Sequence, residues 1–79
     1  MTKRYGLRSV SDLNRHVGEK IRQERNKKKI TQETLSEMAG LSQNFISQLE
    51  SGRKTPSLFT ILKISRALSV SLSRLLSEV

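Results

Sequence analysis

One pattern marks three candidate helix starts along the chain: an apolar residue, then Ser or Thr, then a second apolar residue four positions further on. It appears as Ile30, Thr31 and Leu35, as Leu41, Ser42 and Ile46, and as Val70, Ser71 and Leu75. The hydroxyl in the middle can accept from a backbone N–H of a first helical turn, while the apolar pair closes over that turn as a staple. Each of these three predicts a helix start.

Two further starts complete the set. Asp12 is expected to cap a first helix whose apolar positions Leu13, Val17 and Ile21 return every four residues. That helix runs into Lys27, Lys28 and Lys29, where cations suit the negative end of its dipole. Thr55, Pro56 and Ser57 read as the entry to a fourth helix, with either Thr55 or Ser57 as its cap. The predicted helices cover 12–27, 31–38, 42–50, 57–68 and 71–77. No segment alternates as a strand would, so the predicted fold class is all-α, a compact five-helix bundle.

Composition narrows what such a bundle can do. With 79 residues the chain is expected to form one domain at 12–79 behind a basic arm at 1–11, near the lower size limit for a self-sufficient core. Cysteine is absent, which excludes disulfides and thiolate metal sites. His16 is the sole histidine and is expected on an exposed helix face, so no metal, cofactor or small-molecule ligand is anticipated. A Ser-His-Asp set is spelled by the composition, with Asp12 the sole aspartate, but nothing brings its members together, and an enzyme is not expected. No signal peptide and no apolar run of membrane-spanning length is present, so the chain is expected to be soluble and cytoplasmic.

The formal charge of +8 calls for a polyanionic partner, nucleic acid or an anionic membrane face. Residues 1–29 hold ten of the 15 basic residues and three of the seven acidic ones. A membrane-lying first helix is disfavoured, because its apolar stripe is thin, lacks Trp and Phe, and is needed for the core. Residues 31–52 contain no Lys or Arg. Within them the second and third helices are separated by a short link around Gly40, a residue that tolerates the positive φ a sharp turn demands. Ser36 is small enough for the two helices to cross closely, and Leu35, Ala39, Leu41, Ile46 and Leu49 supply inward positions. Two short helices about such a turn form a helix-turn-helix unit. On the third helix Ser42, Gln43, Asn44, Ser47 and Gln48 collect on one side and at its start. Amides and hydroxyls can read base edges in a major groove, whereas a row of cations would bind any sequence through its phosphates.

From Val17 to Leu76 the chain resembles the Cro/repressor-type helix-turn-helix regulators, through ITQETLSEMAGLS, ISQLESGRKTPSL and ISRALSVSLSRLL in that order and spacing. In size it is also similar to the controller proteins of restriction-modification systems. The resemblance implies a lambda-repressor-like DNA-binding fold and a transcriptional regulator of double-stranded DNA. It implies base readout by Gln43, Asn44, Ser47 and Gln48, and phosphate contacts from Gln32, Ser42, Arg53, Lys54 and Thr55. Arg25 and Glu50 match a pair that joins the first helix to the end of the reading helix. Two positions depart from the pattern: Glu24 replaces a usual apolar residue and is expected to weaken the inward face of helix one, and Lys29 replaces a turn glycine. The competing reading is a protein-interaction module on the same fold, an antitoxin or antagonist.

A homodimer is expected through the fourth and fifth helices. Leu58, Phe59, Ile61, Leu62, Ile64 and Leu68 span more of helix four than one core-facing stripe needs, and Leu72, Leu75, Leu76 and Val79 add to them. Such a dimer would read an inverted-repeat operator.

Overall fold

The computed structural model describes residues 9–77. It contains α1 (Val10–Lys27), α2 (Gln32–Ala39), α3 (Gln43–Glu50), α4 (Leu58–Leu68) and α5 (Leu72–Leu75), and no strand among the described residues. Most of the expected arm, and Val79, lie outside them.

The capping chemistry operates as the sequence predicts at three helices. Thr31, Ser42 and Ser71 each accept from the backbone N–H three residues on, with Thr34, Phe45 and Arg74 as donors. Their staple partners Ile30, Leu41 and Val70 pack on the core that contains Leu35, Ile46 and Leu75. At α4 the cap is Ser57, whose hydroxyl accepts from Thr60, so Thr55 is left in the preceding loop. The first cap differs: Ser9, not Asp12, accepts from a backbone N–H, and the donor is Asp12 itself. The helix starts earlier than expected because Ser9 offers an acceptor to its first turn; Val10, two turns before Val17 on the same face, extends beyond the core and is exposed. At the other end α5 is shorter than the predicted 71–77 and stops at Leu75.

Turns between helices use the left-handed region. Gly40 ends α2 at φ 70°, and Lys29 closes the link before α2 at φ 59°. A lysine there carries the steric cost that glycine avoids.

The core is made by Val17 and Ile21 of α1, Leu35 and Ala39 of α2, Ile46 and Leu49 of α3, Ile61, Ile64 and Leu68 of α4, and Leu75 of α5. α1 packs against α3, α4 and α5, while α2 packs against α3 and α4. Gly18 sets the approach of α1 to α3. A Cβ at this position would overlap the Leu49 carbonyl oxygen and stand 2.9 Å from that of Glu50. Among the described residues no helix is long and apolar enough to cross a membrane.

Candidate nucleic-acid interface

Ile46 and Leu49 are buried and fix one side of α3. Since 3.6 residues make a turn, Phe45 and Glu50 flank that side, with Phe45 packed on the core, and Gln43, Asn44, Ser47 and Gln48 fall on the side away from it. Gln43 and Asn44 are exposed and Ser47 and Gln48 half-buried. The four side chains assigned to base readout thus share the uncommitted side of one helix, and none belongs to the core.

The orientation of α3 rests on Glu50 at its last turn. This carboxylate, 4% exposed, accepts from Arg25 Nε at 2.7 Å and from a terminal guanidinium nitrogen of Arg25 at 3.0 Å. Gln32 Nε2 donates to the same carboxylate at 3.0 Å. Arg25 also donates to the Ile30 carbonyl at 2.8 Å, which holds the entry to α2. Hydrogen bonding to Glu50 raises the Arg25 pKa above its ordinary value against the opposing effect of burial. One buried cluster thereby joins the end of α1, the start of α2 and the end of α3.

The expected phosphate contacts lie at both ends of α3. Ser42 is exposed and spends its acceptor capacity on Phe45 N–H at 3.0 Å. Gln32, half-buried, directs its side-chain amide inward to Glu50, while the backbone N–H groups of Gln32 and Glu33, unlike that of Thr34, which the Thr31 cap holds, have no acceptor within the helix and remain suited to an anion. Arg53, Lys54 and Thr55 are exposed in the loop after α3. That loop is braced on the helix it follows: Arg53 N–H donates to the Gln48 carbonyl at 2.9 Å and Arg53 Nε to Ser51 Oγ at 3.0 Å. Ser51 was missed by sequence reasoning, and no spacing signals it, because the contact depends on the path of the chain after α3.

Two other expectations need correction. Glu24 does not leave a weak inward face; it is buried, and its Oε2 accepts from Arg74 Nε at 2.9 Å and Lys27 Nζ at 3.3 Å. Hydrogen bonding from Arg74 holds its carboxyl below the usual range, burial opposes this, and Lys27 adds to the lowering. His16 is half-buried, with Nε2 2.6 Å from the Ser77 carbonyl oxygen. Both groups tie α1 to the α5 end of the chain.

Comparison with known proteins gives a consistent set of likenesses. A family model described as Helix-turn-helix matches residues 21–75. The chain is 37% identical over 60 residues to the uncharacterised HTH-type transcriptional regulator y4dJ of Sinorhizobium fredii, across 76% of this chain and 78% of that one. Among solved structures, the restriction-modification controller protein C.AhdI from Aeromonas hydrophila superposes with a TM-score of 0.77 at 32% identity, covering 78% of this chain and 94% of the controller. The P22 c2 repressor, solved in complex with a synthetic operator, gives a TM-score of 0.73 at 40% identity over 80% of this chain and 96% of the repressor chain.

Proposed function

The chain belongs to the helix-turn-helix family, and we propose that, as a DNA-binding transcriptional regulator, it acts as a homodimer that lays α3 of each subunit into the major groove of an inverted-repeat operator. The observation that carries this reading is the division of α3. Ile46, Leu49 and Glu50 are held by the protein, whereas Gln43 and Asn44, followed by Ser47 and Gln48, are left with hydrogen-bonding capacity and no place in the core. Amides can make paired hydrogen bonds to adenine, and Gln can also meet guanine, so these four positions read base edges. Gln32, Ser42, Arg53, Lys54 and Thr55 grip the flanking phosphates, which sets register without sequence information.

Two substitutions separate reading from gripping. Gln48→Ala is expected to relax preference at one position per half-site, at about 1–3 kcal/mol for each base pair no longer read, and to leave the salt dependence unchanged. Arg53→Ala is expected to weaken all sequences together and to flatten the plot of log affinity against log salt by about one unit for each phosphate no longer held. The measurement is affinity for a panel of single-base operator variants at several salt concentrations, with folding followed by circular dichroism. If both variants weaken every sequence equally and change the slope alike, α3 is not the reader.

A further inference from the structure

Lys20, Lys27 and Lys28 of the first helix and its end converge with Arg74 of α5 around two adjoining clefts of about 470 and 460 Å³. Glu24, Lys27, Ser71 and Arg74 line both; Lys28 completes one and Lys20 the other. Four cations thus surround a single carboxylate. Glu24 is already engaged, and through one oxygen only, since Arg74 and Lys27 both donate to its Oε2. Those two cations remain more than half exposed, at 55% and 59% of their side-chain surface. Lys20 and Lys28 have no ion-pair partner among the described residues. The formal balance of the five groups is four positive against one negative. Nothing in the base-reading geometry uses it.

Position separates this site from the reading face. Gly18 marks the side of α1 that touches α3. At about 100° per residue, the nine residues to Lys27 are two and a half turns, which puts Lys27 on the opposite side of the helix. A duplex lying along α3 would have the body of α1, roughly 10 Å across, between it and the clefts. The clefts fall within the size range of small-ligand sites, roughly 300–1,000 Å³.

We propose that the α1–α5 cleft binds a small, multiply charged phosphate compound, with Lys20, Lys27, Lys28 and Arg74 supplying the cations and the Ser71 hydroxyl a further hydrogen bond. Several phosphate oxygens can take charge-assisted hydrogen bonds from separate cations at once, which a single carboxylate cannot. Glu24 acts as the brace that keeps Arg74 and Lys27 converged in the absence of ligand.

The test is a titration of isotope-labelled protein with inorganic pyrophosphate and, separately, with a nucleoside triphosphate, at constant ionic strength held with chloride, followed by backbone amide chemical shifts. A third arm adds a short duplex in place of the phosphate compound. Saturable shifts are expected at Lys27, Lys28, Ser71 and Arg74 with either compound, while the duplex moves Gln43 to Gln48 instead. In the double variant Lys20→Gln/Lys28→Gln, which keeps every ion pair of Glu24, the affinity for pyrophosphate is expected to drop at least tenfold with the amide spectrum otherwise unchanged. Non-saturating shifts spread over all exposed cations, an unchanged affinity in the double variant, or duplex rather than pyrophosphate moving the cleft amides would each overturn the proposal.

Discussion

Glu50 receives three hydrogen bonds on two oxygens, two from Arg25 and one from Gln32, while almost wholly removed from water. A buried carboxylate is tolerated when its charge is paired and its lone pairs are occupied, and both conditions hold here. Losing one partner leaves the other charge stranded. Arg25→Ala is therefore expected to destabilise the fold by about 3–5 kcal/mol, more than a surface ion pair is worth, as read by urea denaturation. A double-mutant cycle with Glu50→Ala should show strong coupling, since the second removal takes away the charge that the first left unpaired. Gly18 makes a different demand at the same α1–α3 junction. Gly18→Ala would drive a methyl into backbone carbonyls of α3 that cannot rotate away, so α1 and α3 must separate. The expected cost is at least the roughly 1–3 kcal/mol of ordinary overpacking, in spite of the gain in helix propensity, and the same denaturation curves measure it.

At the level of elements, α5 is a single short turn that cannot be stable by its own hydrogen bonding. Leu75 anchors it in the core, and the Arg74–Glu24 ion pair joins it to α1. Because the folded-state pKa of Glu24 is depressed, its contribution is present above the ordinary glutamate range and is lost as pH falls through the depressed value. Arg74 is half exposed, so solvent screening keeps this contribution modest. Wild type is accordingly expected to lose stability between neutral pH and about pH 3 more steeply than Glu24→Gln, and comparing thermal midpoints of the two across that range isolates the group. Local chemistry explains which elements were legible in advance. Thr31, Ser42, Ser71 and the apolar residues around them act within one turn, so their spacing is visible in the sequence. Glu24 meets Arg74 across fifty residues and His16 meets Ser77 across sixty-one, and no periodicity records such pairings. The α3 face was readable because burial of Ile46 and Leu49 leaves its other side by subtraction; the bracing of Arg53 by Ser51 was not, because it depends on how the chain bends after α3.

For the molecule as a whole, the apolar surface left uncovered is informative. Leu58 and Phe59 are 67% and 69% exposed, and Leu76 also reaches solvent, while Ile61, Ile64 and Leu68 fill the core. Lys63 Nζ stands 5.0 Å from the centre of the Phe59 ring and shields one face of it. We propose that α4 and α5 use the exposed residues to pair two subunits. Phe59→Ser removes a ring that the isolated fold does not bury, so the monomer should remain folded. A central aromatic anchor is worth about 2 kcal/mol or more, so self-association should weaken by at least about thirtyfold in sedimentation. Wild type that stays monomeric at tens of micromolar, with and without DNA, would contradict the pairing. With two subunits related by a two-fold axis, half-site centres should lie about 34 Å apart, which footprinting of a selected operator can check. The division of α3 has a consequence beyond any single operator. Ser42, Ile46, Leu49 and Glu50 are answerable to folding, while Gln43, Asn44, Ser47 and Gln48 take no part in the core and, under the proposed base readout, answer to the operator. Inherited changes in these two sets are thus filtered separately. After gene duplication, one copy can acquire a new target through a few substitutions in the second set, without passing through an unfolded ancestor.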